Sequence, residues 1–278
     1  MRKASWRLAA ALALIGWTSA AHAQATSNFS SVGFDVETGD KEAFARSILA
    51  YAEDCEPIAL DEDDTVCLRE KDNGGQIWIG LRRVDGAPQF VTANPAFIGK
   101  SAFPVRVVGV QSDPDWEPFE YRLAVTFSAL EIPLLVELAD PREAARFRDL
   151  AAPVDLTLDV TAFAFNPEIF ADEEAFIAAQ ERLGEDVQYA PDFFIPTGLL
   201  GDDTSARASF GGEVLEAERV TTQDGSTHWR TLVRVQGGGT LNVVFDDVWP
   251  DLNPKPGQII SGAFWLSAQV PDKAPDPM

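Results

Sequence analysis

Gly257-Gln258-Ile259-Ile260-Ser261-Gly262-Ala263-Phe264-Trp265-Leu266-Ser267 ends a segment, Arg207 to Val270, that carries the densest strand signal in the chain. Four strands are expected in it: Arg207–Thr222, Thr227–Gln236, Gly239–Asp247 and Gly257–Val270. Asp224-Gly225 and Gly237-Gly238-Gly239 supply the tight turns, because glycine accepts the left-handed backbone such turns require. The first strand is long enough to bend, and Gly211-Gly212 marks the bend or bulge. A long bent strand, two meander strands and a final strand predict a small OB-like β-barrel over residues 204–271.

Moving toward the N-terminus, Gly184 to Thr204 shows no period and reads as a connector whose Tyr189, Phe193 and Phe194 pack on a neighbour. Before it, Asp172 caps a helix bearing Phe176, Ile177, Gln180 and Leu183 on one face, and Val154 to Phe165 is a strand. Residues 151–203 are therefore read as a strand-helix connector. Residues 24–150 form an α+β domain. Asp40 caps a helix, Lys41 to Glu53, with Phe44, Ile48, Leu49 and Ala52 at helical spacing. Ser31–Val36, Thr65–Glu70, Gln76–Arg83, Gln89–Ala93, Pro104–Gln111 and Phe119–Phe127 read as strands. Asp72-Asn73-Gly74-Gly75 is a strong hairpin turn between the second and third of these. Asp140-Pro141-Arg142-Glu143 is a capped helix start. The fold class is α+β: an N-terminal helix on an antiparallel sheet, followed by the C-terminal barrel.

Residues 1–23 read as a signal peptide. Arg2, Lys3 and Arg7 precede a short apolar run, Leu8 to Trp17, and Ala21-His22-Ala23 is a small-x-small cleavage site. The run is too short to span a bilayer comfortably. Export to the periplasm or the medium follows, with no membrane span after cleavage. The chain holds 44 acids against 22 Lys and Arg, a net charge of −22. Such a chain is repelled by nucleic acid and by anionic membrane surfaces. Cys55 and Cys67 are the only cysteines, and in an exported chain they are expected to pair.

The ending Gly-x-Ile-x-x-Gly-x-Phe-Trp-Leu-Ser resembles the C-terminal part of an uncharacterised exported bacterial family with an OB-fold-like C-terminal domain. The resemblance extends back to Thr161-Ala162-Phe163-Ala164-Phe165 and Phe194-Ile195-Pro196-Thr197-Gly198. It implies a class of architecture and no activity.

Beyond the signal, His228 is the only histidine, which leaves no multi-histidine metal site. Ser226 and Asp224 flank it in a turn and cannot form a relayed triad along one strand. No Gly-x-Ser-x-Gly elbow and no phosphate-binding loop is present. Asp61, Asp63 and Asp64 lie in the loop that a Cys55–Cys67 disulfide would close. They form a weak calcium candidate without the glycine and terminal glutamate of an EF-hand. Otherwise no cofactor is indicated.

The acids are concentrated in residues 24–203, whereas 204–271 is close to charge balance. Strand alternation puts Trp229, Thr231, Val233 and Val235 on one face of the barrel and His228, Arg230, Leu232 and Arg234 on the other. With Asn242 on the next strand and Trp265 turned outward on the last, one face offers His228, Arg230, Arg234, Asn242 and Trp265. This is a candidate ligand-binding surface for a sugar or an anion. The opposing reading pairs the arginines with acids of the first domain and packs Trp265 at that interface. The expectation is an exported binding or interaction protein, acting through the barrel face or the groove between the halves. Its partner would be a small molecule, a glycan or an envelope protein. The alternative is a carboxylate-dependent hydrolase of envelope glycans, for which the many acids leave no single pair marked.

Overall fold

The structure is a computed structural model that describes residues 28–38, 40–53, 55–183, 188–197, 204–223, 225–249 and 252–271. The expected signal peptide, the Gly184 helix stop and Asp224 of the hairpin turn lie outside the described residues.

After a 3-10 turn at Ser30–Val32, helix α1 runs Lys41–Ala52, with the Asp40 carboxylate accepting from the amides of Glu42 and Ala43 at 2.9 and 2.8 Å. Four strands follow as one antiparallel sheet: β1 Pro57–Ala59, β2 Asp64–Glu70, β3 Gly75–Val84 and β4 Ala87–Phe97. Next come β5 Phe103–Gln111, β6 Arg122–Phe127, β7 Ile132–Leu138, β8 Val154–Ala164 and β9 Glu168–Phe170. Helix α2, Glu173–Leu183, is capped by Asp172, whose carboxylate accepts from Ala175 at 2.8 Å. The last strands are β10 Phe194–Pro196, β11 Arg207–Thr221, β12 Thr227–Arg234, β13 Thr240–Asp246 and β14 Ile259–Gln269.

The last ten strands form one sheet, and pairing of β14 with β11 closes eight of them, β11-β12-β13-β8-β5-β6-β7-β14, into a barrel. Two expectations are corrected by this. The barrel has eight strands where a small OB-like one built from four C-terminal strands was expected, and it is not confined to residues 204–271. β5 to β8, from the expected N-terminal domain and connector, supply half its wall. The reason is pairing: β13 runs parallel to β8, and β14 pairs with both β7 and β8, contacts of long sequence separation that local periodicity does not encode. β7 itself escaped notice because Ile132-Pro133-Leu134-Leu135-Val136 is apolar with a proline and shows no clean alternation. The expected strand at Ser31–Val36 is instead the end of the 3-10 turn and a stretch without regular secondary structure.

Side chains fill the barrel. Phe103, Phe127, Phe210, Phe245 and Phe264 are fully buried in one cluster with Val233, Leu241, Val243 and Leu266. Phe210 and Phe264 stack with ring centres 4.0 Å apart, and Phe103 and Phe127 at 4.3 Å. An eight-stranded barrel has an interior just wide enough for such filling. β11 serves two neighbours, Arg207–Glu213 pairing with β14 and Glu213–Thr221 with β12, with a bulge after Val214. Gly211 and Gly212 allow it to pass close to other backbone: a Cβ on Gly212 would lie 2.5 Å from the Arg234 carbonyl, and one on Gly211 2.4 Å from that of Pro191.

The outer wall of the barrel is partly covered. Phe163 of β8 and Val244 of β13, both pointing out of it, share a buried cluster with Phe34, Ile48 of α1, and Ile77 and Ile79 of β3. Cys67 is fully buried in the same cluster, its Cα 5.8 Å from that of Cys55, within disulfide reach. A second cluster joins Val66, Trp78 and Ala96 of the four-stranded sheet to Phe119 and Ala139.

Closing so short a loop in the unfolded chain contributes about 2–3 kcal/mol. Chemical denaturation with and without a thiol reductant is expected to show a loss of that order, and no loss in a Cys55→Ser/Cys67→Ser variant on adding reductant.

Candidate functional site

The hairpin turn between β2 and β3 is one place where the four-stranded sheet meets the barrel. Gly74 holds φ at 89°, the Asn73 carboxamide oxygen accepts from the Gly75 amide at 2.9 Å, and the Lys71 amide bonds the Gly75 carbonyl at 2.8 Å. Gly75 lets the N-terminal segment approach, since a Cβ there would lie 2.1 Å from the Val32 carbonyl. Three contacts dock the turn: Arg230 Nη1 donates to the Asn73 carbonyl at 3.3 Å, Gln223 to Asp72 at 3.3 Å, and Lys71 Nζ to the Gly33 carbonyl.

Docking leaves a groove made of two cavities that share Ile98 and Arg230. The first, about 200 Å³, lies against β11 to β13, with Lys100, Glu216, Glu218 and Asn242 on its walls. The second, about 350 Å³, lies beneath the turn, lined by Lys71, Asn73, Gly74 and Gln76. Arg230 stands opposite Glu218 across β11 and β12 and donates from Nε at 3.0 Å and from Nη2 to its Oε2. Lys100 meets Glu216 Oε2 at 3.1 Å. Ile98 is 46% exposed, an apolar side chain standing between the two spaces.

Gly99, Lys100 and Asn242 of the first cavity are tied together by a hydrogen-bond network. Asp159 accepts from the Gly99 amide at 2.9 Å, from Ser101 Oγ at 2.6 Å and from Asn242 Nδ2 at 2.6 Å. Asn242 Oδ1 accepts from the Lys100 amide at 3.1 Å. This network fixes the Ile98–Ser101 loop.

The structure thus distributes the five expected face residues. Arg230 and Asn242 come together at the first cavity, Asn242 being buried and hydrogen-bonded. Arg234 is exposed, pairs with Glu213 opposite it, and lines neither cavity. Trp265 does point out of the barrel, but it is half-buried against Phe163, ring centres 4.9 Å apart, beneath the N-terminal cluster. His228 is fully buried, because the 3-10 turn and Gly33 cover that end of β12. Burial, with Arg230 and Lys71 nearby, brings its pKa down to about 4. Among the described residues neither ring nitrogen has a hydrogen-bond partner, and Asp246 across the strands is bonded through Oδ2 to Ser30 and not to the imidazole. The cluster has no relay geometry.

The acidic loop has structural work. Asp61 Oδ1 accepts from the amides of Asp63 and Asp64, both at 2.9 Å, which holds its carboxyl below the usual range. Asp64 is buried and gives both oxygens to Arg82, at 2.7 and 3.0 Å. Among the described residues no group of three or more His, Cys, Asp and Glu is placed to hold a metal ion.

Three carboxyls are pushed upward: Glu137 to about 8 by burial and by Glu120, with Arg122 opposing, Glu168 by burial, and Asp246 by burial. None of the three lines either cavity.

Lys71, Asn73, Ile98, Lys100, Glu216 and Glu218 line the groove, and strand alternation in the barrel alone did not find them. Glu216 and Glu218, spaced by two, were legible as sharing a face; the turn and the Ile98 loop reach the groove only through tertiary docking. Compared with protein-family models, with curated proteins and with solved structures, the chain matches none.

His228 yields a sign for acid stability. Its folded pKa, about 4, lies below the usual 6.5, so its neutral form stabilises the fold fully above pH 6.5 and that contribution is lost as pH falls through 4. The effect is on the order of 3 kcal/mol. Denaturation curves from pH 7 to 4 are expected to fall less steeply for His228→Leu than for the native chain; parallel curves would rule this out.

Proposed function

We propose that the chain is an exported binding protein that holds a small polar ligand in the groove centred on Arg230. One observation carries the reading: two spaces of ligand size share a half-buried arginine whose guanidinium is already oriented, by Glu218 on one side and the Asn73 carbonyl on the other. Small-molecule sites are concave, apolar in part, and furnished with a few fixed polar groups. Ile98, Leu232 and Ala217 supply the apolar part. The barrel acts as the rigid wall. The four-stranded sheet brings the turn that borders the second space. Export rests on the N-terminal segment, whose basic start, apolar run and Ala21-His22-Ala23 site predict a mature chain beginning at Gln24.

The hydrolase alternative is less favoured. The groove acids Glu216 and Glu218 are engaged by Lys100 and Arg230, and the carboxyls raised by burial lie elsewhere.

Thermal-shift and calorimetric screening of the mature chain against sugars, small anions and polyamines tests the reading. A ligand that binds the native chain is expected to lose at least about tenfold in affinity with Arg230→Ala, about 1.4 kcal/mol. The same ligand should bind Arg234→Ala unchanged. Both variants should keep melting temperatures near the native value, since partly exposed ion pairs contribute about 0–1 kcal/mol. Equal binding by native chain and Arg230→Ala would reject the groove.

A further inference from the structure

We infer that the groove ligand is a neutral, hydroxyl-rich compound, a mono- or short oligosaccharide, and neither an anion nor a cation; this rests on the reading of the groove as a binding site. The charges that line the groove are already paired. Each cation lining the groove is met from within the protein: Arg230 by Glu218 and the Asn73 carbonyl, Lys100 by Glu216, Lys71 by the Gly33 carbonyl and by the ring of Phe34, whose centre lies 4.8 Å from Nζ. Four acids line the same spaces, Glu70, Asp72, Glu216 and Glu218, so they outnumber the three cations. A ligand anion would compete with carboxylates held in place by the fold. It would also approach through the field of a chain with net charge −22. A ligand cation would have to displace Arg230 or Lys100 from the acids they already satisfy.

What the groove still offers is hydrogen-bonding capacity of both kinds at fixed positions. Glu216 and Glu218 each use Oε2 for their cation, which leaves Oε1 as an acceptor. Arg230 retains part of its donor edge once Glu218 and Asn73 are served. A hydroxyl group both donates and accepts, and hydrogen bonds to ionised side chains are about twice as strong as neutral ones. Adjacent hydroxyls on a sugar ring can bridge a carboxylate oxygen and a guanidinium nitrogen without altering the charge balance. The carbon-bound face of the ring can lie on Ile98 and Leu232. The two spaces, about 200 and 350 Å³ and meeting at Ile98 and Arg230, suit one to a few sugar units.

The experiment is calorimetric titration of the mature chain with three probe sets: neutral sugars (glucose, maltotriose, N,N′-diacetylchitobiose), anions (glucuronate, inorganic phosphate) and a cation (spermidine). Each is run at about 20 and about 200 mM salt, a range over which screening of exposed charges changes severalfold in length. At least one neutral sugar is expected to bind with an affinity that changes less than about twofold with salt, weakened at least about tenfold in Arg230→Ala and in Glu218→Ala and unchanged in Arg234→Ala. Tightest binding by phosphate, glucuronate or spermidine, lost in Arg230→Ala, overturns the neutral class and leaves the groove reading standing. Neutral-sugar binding untouched by Arg230→Ala and Glu218→Ala overturns the inference and the groove together. Absence of heat with all probes does the same.

Discussion

β14 is the seam on which the rest of the structure depends. Its first half pairs with β11, from Ile259 opposite Glu213 to Trp265 opposite Arg207, and its second half with β8, from Leu266 opposite Ala162 to Gln269 opposite Asp159. Ser267 and Ala268 also reach β7. No other strand joins the end of the chain to both its middle and its own hairpin. Without that closure the sheet would expose two edges of unpaired backbone, each costly if buried and each a template for aggregation if not. Closure also makes Ile260, Phe264 and Leu266 part of a single interior cluster with residues as distant in sequence as Phe103.

A closed, filled barrel has only its outside to offer, and the chain uses that outside twice. Phe163, Val244 and Trp265 take the apolar load of the N-terminal segment, α1 and the four-stranded sheet. Further along the same wall the cover stops short. The Asp159–Asn242 network holds the Ile98–Ser101 loop against the barrel, the β2–β3 turn leans on Arg230, and the space between them is the groove. The groove is therefore a by-product of imperfect coverage, bordered by polar contacts.

Burial sorts the ionisable groups. Those at the groove retain solvent and partners. Those buried on the outside of the barrel shift: His228 falls to about 4, Glu137 rises to about 8. Both face the outer wall of the barrel, and both owe the change first to lost hydration. They mark how dry the junction is, and their stability contributions oppose each other across the pH range: the His228 contribution fades toward acid, while that of a protonated Glu137 is complete below its ordinary pKa of 4.5 and fades as pH rises through about 8.

The sequence by itself determined the local elements: the helix behind Asp40, the turn at Asp72–Gly75, the cap at Asp172, the four C-terminal strands and the alternation that sends Trp229 and Val233 inward and Arg230 outward. These are set by periodicity, capping and turn chemistry within a few residues. It also singled out Arg230, which the structure places on the wall of both cavities. Only the tertiary structure decided that β5 to β8 share the barrel, that His228 and Trp265 are covered, that Arg234 stands apart with Glu213, and that Lys71, Asn73 and Lys100 border the groove. The reason is physical. A strand pattern states which face of a strand is apolar, but not which other strand pairs with it or what lies over its outer face. β13 shows the limit most plainly: every residue from Leu241 to Asp246 is buried, because one face meets the interior and the other meets the cover, and alternation carries no signal when both sides are dry.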